Sequence, residues 1–235
     1  MLLEIMSLFC KFFQHNWVAT LYFNFRMLPF SQAIHLPFDF CHGVRFESLQ
    51  GRVVLNAATP LHRAMVRVGG RGSDMFPRMQ TVLSLDGVLE VLGDGVEIGS
   101  GCSVTIGTNA HLVLNGSVRL GAMTKVYCSH LIEIDQEVDV SWESQLFDTN
   151  FHYMKDLKTG EIIEPDGEVH IGSYNWIGNR CNIMKGTVTP AHLIVAANSL
   201  LNKDYSSIAA DSMMAGQPAK VVKTGIRRMF EGKDL

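Results

Sequence analysis

The C-terminal half of the chain carries an apolar beat of six. Counting on from Ile171 gives Ile177, Ile183, Thr189, Val195 and Leu201, and Gly172 and Gly178 each follow an aliphatic position. A helix repeats its apolar residues every 3.6 positions and a half-buried strand alternates, so neither alone makes this period. A triangular solenoid does. Each side of the prism is a short strand, each corner a tight turn, and the small residue after the inward one lets the corner close. Upstream, from Arg52, aliphatic pairs split by one residue recur, among them Val53/Leu55, Val66/Val68, Val96/Ile98, Val118/Leu120 and Val138/Val140. Gly, Asn and Asp stand between them as turn residues. An antiparallel sandwich of short strands is the competing prediction, but six residues are too few for a strand and a hairpin.

Spacing upstream is mostly six or eight with longer gaps early, and one interruption matters. From Leu146 to Val169 the chain reads F-D-T-N-F-H-Y-M-K-D-L-K-T-G-E-I-I-E-P-D-G-E-V, a polar stretch that must leave the prism. Excursions from regular scaffolds are where sites are built. At the N-terminus, Leu2, Ile5, Met6, Phe9, Phe12 and Phe13 predict an amphipathic helix. Glu4, Lys11 and Gln14 interrupt it, so it is not expected to span a bilayer, and it lacks the basic start and cleavage site of a signal peptide. Packing on protein is its expected use. A helix lying in a membrane surface is the alternative, and it would carry more Lys and Arg on its polar face. Residues 20–50, with two prolines, read as an irregular lead-in that covers the open coil end. The expected organisation is a helical and irregular cap over 1–50, a solenoid over 51–204 with its excursion near 147–169, and a C-terminal cap and tail over 205–235.

Composition adds limits. Hydrophobic residues are 47% of 235, enough for a substantial core, and the net charge of -3 argues against a nucleic-acid partner. Five scattered cysteines without a C-x-x-C pair fit free thiols in a reducing compartment, hence the cytoplasm. No His, Cys, Asp or Glu cluster has metal-ligand spacing.

Five segments then resemble one family: F-D-T-N-F-H (147–152), V-H-I-G-S-Y-N-W-I-G-N (169–179), I-M-K-G-T-V (183–188), V-A-A-N-S-L-L-N-K-D (195–204) and A-G-Q-P-A-K-V-V (215–222). The chain is similar here to the hexapeptide-repeat acyltransferases, in the branch of maltose, galactoside and surface-polysaccharide O-acetyltransferases. The resemblance implies an all-β fold, a left-handed parallel β-helix. Handedness comes from the family alone, since most parallel crossovers are right-handed. It further implies a homotrimer with active sites between neighbouring prisms, acetyl-CoA as donor and no metal.

Carried over by motif, the general base is His152. The donor is already activated, so the acceptor hydroxyl needs a group to take its proton, and an imidazole suits that role. Asp148 would orient the ring or hold the acceptor, or else serve as a turn residue in D-T-N. Contacts to acetyl-CoA would fall on Asn179, Ala197, Asn202 and Lys203, with Lys203 facing the phosphates and Arg227 or Arg228 nearby. Two departures matter. Ala196-Ala197-Asn198-Ser199 stands where the family writes G-A-G-S, and Ala122 and His130 occupy the positions that hold the acceptor in the sugar acetyltransferases. A glycan acceptor other than theirs is expected. Two further readings are a zinc hydratase like the γ-class carbonic anhydrases, for which His111, His130, His170 and His192 are surplus histidines near coil corners, and a scaffold without activity.

Overall fold

The computed structural model describes residues 15–56, 60–70 and 75–229. The helix expected over the first fourteen residues lies outside these. Among the described residues, parallel strands stack into three long sheets, which form the sides of a prism. The first side runs from Phe38–Phe40 through Val66–Val68, Val96–Ile98, Arg119–Leu120, Asp139–Val140 and Trp176–Ile177 to Leu193–Val195. The second runs from Val44–Leu49 to Leu200–Leu201, and the third from Arg52–Leu55 to Val169–Ile171. Chain order cycles first, second, third, so each strand pairs with its counterpart one turn away. Every aliphatic position named in the sequence pattern is buried, and so is Thr189. Burying one such side chain stabilises the fold by about 1.5–3 kcal/mol.

The corners show why the beat carries small residues. A Cβ on Gly178 would stand 2.6 Å from the backbone nitrogen of Ala197, and one on Gly121 would stand 2.6 Å from that of Trp142. Adjacent coils touch there through their backbones, and only hydrogen fits. On the same edge Met123, Glu143, Arg180 and Asn198 all have left-handed backbones, with φ between 57° and 61°. Such φ values are costly outside glycine. Each is held by its own N–H, which donates to a carbonyl of the coil before: Ser100, Ala122, Trp142 and Asn179, at 2.8–3.1 Å.

The solenoid begins earlier than the expected boundary at 51. Phe38–Phe40 and Val44–Leu49 are already strands of the first and second sides. The two prolines that made this stretch read as irregular stand ahead of the strands, at Pro29 and Pro37. Helix α1 (Trp17–Met27), N-capped by Asn16, covers the open end. Its buried Asn24 donates to the Phe38 carbonyl at 2.7 Å and accepts the Phe38 N–H at 3.1 Å, while Thr20 Oγ1 accepts the Phe40 N–H at 3.0 Å. These bonds satisfy an edge that would otherwise pair with another chain. Phe23 packs on Phe38 and Phe40, both at 4.9 Å between centroids. At the far end Ser212–Gly216 adds to the first side and turns back as the antiparallel Ala219–Thr224. Among the described residues no helix is long and apolar enough to cross a membrane.

Candidate active site

The excursion leaves the edge between the second and third sides. After Phe147 the chain runs out, pairs Met154–Lys155 against Ile162–Ile163 as a small hairpin, and returns to Val169. Its root is closed by Asn150 N–H donating to the Pro165 carbonyl at 2.9 Å and Gly167 N–H donating to the Asp148 carbonyl at 2.8 Å. Tyr153, Met154, Leu157 and Ile162 are exposed along it.

His152 stands exposed at the mouth of this excursion. Its side chain makes no hydrogen bond among the described residues. The residue before it is fixed, however. Phe151 has φ 63°, unusual for a bulky side chain, and its N–H donates to Thr149 Oγ1 at 2.9 Å. Its ring meets Tyr127 edge-on at 4.8 Å and Phe147 at 6.0 Å. Sequence reasoning missed this aromatic root. The signal was available in the outward positions of the second side, where Tyr127 and Phe147 are partners in register.

Asp148 is anchored to the coil before it. It is fully buried, and its two carboxylate oxygens accept the backbone N–H groups of Ser129 and His130, each at 2.7 Å. Each oxygen thus takes one N–H of the neighbouring coil, and among the described residues no hydrogen bond joins Asp148 to His152. The thiol of Cys128 lies close by and is pushed up by burial and by the Asp148 charge. Cys102 is likewise raised by burial, to about 11, and Cys181 is raised for the same reason. Cys102, Cys128 and Cys181 are free thiols.

The four positions expected to meet the donor fall into two pairs. Asn179 and Ala197 lie on the edge between the first and second sides, joined where Asn198 N–H donates to the Asn179 carbonyl at 2.9 Å. Ala197 is exposed. Asn202 and Lys203 lie on the edge between the second and third sides, the one from which the excursion departs, where Val188 N–H reaches the Lys203 carbonyl at 3.4 Å. Both are exposed, and the Lys203 ammonium sits 5.5 Å above the Tyr205 ring. A strand of that length separates the pairs by on the order of 15 Å. Arg227 and Arg228 are elsewhere: Arg227 grips Asp211 at 2.6 and 2.8 Å, and Arg228 pairs with Asp139 at 2.6 Å on the first side.

Of the surplus histidines, His170 is central in a strand of the third side rather than at a corner, while His111 opens its strand just past one. His170 bonds Glu133 at 3.2 Å and Glu168 at 3.1 Å, and the bond to His170 holds the Glu168 carboxyl below its usual range. His192 stacks on Tyr174 at 4.7 Å. Among the described residues no three His, Cys, Asp or Glu side chains converge as a metal site.

No protein-family model matches the chain, and no curated protein matches it in sequence. Among solved structures it is similar to the polysialic acid O-acetyltransferase OatWY, with 18% identity and a TM-score of 0.50 over 82% of this chain and 95% of that one. It is also similar to the polysialic-acid-specific acetyltransferase NeuO, at 19% identity and a TM-score of 0.43 over 83% of this chain and 90% of that one. A further likeness is to AntD, an N-acyltransferase from Bacillus cereus, at 15% identity and a TM-score of 0.45 over 79% and 83%. Identities this low speak to fold: the chain is an all-β protein, a left-handed parallel β-helix with the architecture of OatWY.

Proposed function

We propose that this chain is an acyltransferase that moves an acetyl group from acetyl-CoA to a hydroxyl of a sugar or polysaccharide, with His152 as general base. The observation that carries the reading is the placement of His152, solvent-exposed on an anchored root at the mouth of the excursion between Phe147 and Val169. The activity named for OatWY, whose fold the chain shares, supports the same class. In this reading His152 takes the proton of the acceptor hydroxyl as that oxygen attacks the thioester carbonyl carbon. It then returns the proton to the departing thiol sulfur. A positioned base of this kind contributes about 10²–10⁴-fold.

The donor would supply an activated acetyl group, and the residues present fit it in part. Ala197 is small and exposed, leaving the backbone edge open, and Lys203 offers an exposed ammonium to phosphates. Since Asn179 and Ala197 stand a full prism side from the edge that carries His152, one protomer does not close the site around all of them. A homotrimer, in which a neighbour's excursion covers the Ala197 edge, accounts for this separation and for the exposed apolar hairpin. The free thiols fit a cytoplasmic protein.

The test is to incubate the full chain with acetyl-CoA and a panel of sugars and oligosaccharides while following free thiol. Thiol release that depends on acceptor, and is lost in His152→Ala, is the expected result. Release indifferent to both acceptor and His152 would overturn the reading.

A further inference from the structure

Helix α1 has an outer face as apolar as its inner one. Thr20, Phe23, Asn24 and Met27 are buried on the side that closes the coil. Opposite them, Val18, Leu21, Tyr22 and Phe25 recur at the three- and four-residue steps of one helical stripe. The stripe continues past the helix end, where the Phe25 ring lies 6.0 Å from that of Phe30 and Ile34 follows the short helix Phe30–Ala33. All six side chains belong to residues between 45% and 79% exposed. A helix that is apolar all round is ordinarily buried, and a contiguous run of this kind marks an interaction surface.

Charge narrows the choice of partner. No Asp or Glu stands between Glu4 and Asp39 in the sequence, although the whole chain has a net charge of -3. Asp39 is buried. Among residues 15–56 the one exposed carboxylate is Glu47, and Arg45 already pairs with it. Arg26, four residues after Tyr22, borders the stripe on α1. Arg52 begins the strand Arg52–Leu55, to whose last carbonyl Gln32 Nε2 donates at 3.3 Å. Both arginines are exposed, and neither pairs with a carboxylate among the described residues. The patch is therefore aromatic and aliphatic, with a cationic rim.

A second copy set face to face on this patch brings cations to cations, because an isologous contact presents the same groups from both sides. A bilayer surface with anionic headgroups meets both features. Its acyl boundary takes the apolar side chains, its phosphates take the arginines, and rings such as those of Tyr22, Phe25 and Phe30 suit that depth. Interfacial helices otherwise need a charged face to keep their far side in water. Helix α1 does not, since its far side is bonded to the coil through Asn24 and Thr20.

We propose that the cap docks on an anionic membrane surface through the outer stripe of α1 and Phe30, lying on the bilayer rather than crossing it. Acetyl transfer plays no part in this binding. The arrangement keeps the candidate active site in water. Along the second side, Val44–Leu49 is followed by Thr81–Leu85, Ser103–Ile106, Lys125–Cys128 and Gln145–Phe147. The excursion thus departs four strands beyond the capped end, roughly 20 Å.

Flotation of the full chain with lipid vesicles tests the proposal, using phosphatidylcholine alone and phosphatidylcholine mixed with phosphatidylglycerol. The expected result is binding to the mixed vesicles that weakens with salt and is much weaker on phosphatidylcholine alone. Phe25→Asp should lower partition onto the mixed vesicles at least tenfold. Val18→Asp should do the same and guards against misfolding, because Val18 lies in the first turn of α1, where a carboxylate suits the helix dipole. Its melting temperature should match the wild type. Arg26→Glu should remove the preference for phosphatidylglycerol. Absence of binding to the mixed vesicles, or equal binding to phosphatidylcholine alone, would overturn the proposal. Unaltered binding by Val18→Asp and Phe25→Asp would assign the contact to the sequence before His15 and sink it as well. So would a vesicle-free assembly that Val18→Asp dissociates, which would make the stripe a contact between copies.

Discussion

Asp148 holds the main chain of His130: its Oδ2 lies 2.7 Å from the His130 amide nitrogen, and its Oδ1 lies 2.7 Å from that of Ser129. Its own carbonyl receives the Gly167 N–H, so one buried residue ties the exit and return of the excursion to the preceding coil. Asp148→Asn replaces one acceptor with an amide that faces a donor. Hydrogen bonds to a charged group are worth about 1.5–3 kcal/mol, so the variant should lose roughly that much in urea unfolding. Activity should fall only as far as the excursion is loosened. Unaltered unfolding combined with a large loss of turnover would return Asp148 to the chemistry.

His152 should behave in the opposite way. It is exposed and bonds no described side chain, so His152→Ala should leave stability within about 0.5 kcal/mol. Acetyl transfer should drop at least about a hundredfold, since a general base typically supplies that order of rate. Steady-state turnover beside a thermal melt separates the two effects. Near-normal turnover on the true acceptor would mean that another group takes the proton.

Much of this architecture was legible because the coil repeats its physics. A six-residue beat marks inward positions, and Gly172 or Gly178 after an inward residue marks a backbone-to-backbone corner, so the prism follows from short-range pattern. The start at Phe38 was hidden because its cap is built from side-chain bonds of Asn24 and Thr20, which leave no periodic trace. Asp148 was visible as a residue of D-T-N, but its partners lie eighteen and nineteen positions back, one coil away. The alternating charges of Arg67, Glu97, Arg119 and Asp139 could have been read as the single residues inside Val66/Val68, Val96/Ile98, Val118/Leu120 and Val138/Val140, but that they stack side by side needs the register.

The corner glycines give a prediction about stability alone. In Gly178→Ala the new methyl would stand 2.6 Å from Ala197 N and 2.9 Å from the Val195 carbonyl oxygen. Backbone on both sides leaves no flexible side chain to yield. Overpacking of this sort costs about 1–3 kcal/mol, and the loss should appear in the unfolding midpoint. A variant as stable as the wild type would mean that the coils separate more easily than these contacts allow.

Assembly should show in sedimentation. The hairpin exposes Tyr153, Met154, Leu157 and Ile162, and a closed three-fold arrangement hides such a surface on every copy. A trimer at micromolar concentration is expected, and Leu157→Asp should shift it toward monomer without unfolding the chain. A wild-type monomer would remove the shared site along with the trimer.

Ala197 tests where the donor lies. It is exposed two positions after the inward-facing Val195, at an edge where its backbone nitrogen already sits beneath Gly178. A larger side chain there points into solvent and should disturb no core contact, so Ala197→Leu should melt close to the wild type. If pantetheine runs along that edge, the added bulk occupies its path. Acetyl-CoA affinity should fall at least tenfold, about 1.4 kcal/mol, by calorimetric titration. Asn202 and Lys203, on the other edge, give the control. Lys203→Ala removes an exposed cation and should weaken acetyl-CoA in a salt-dependent way, whereas the loss in Ala197→Leu should persist at high salt because it is steric. An Ala197→Leu protein that binds acetyl-CoA normally would move the donor to the Lys203 edge, next to the excursion of its own protomer. The separation of the two residue pairs would then cease to argue for a neighbour's histidine.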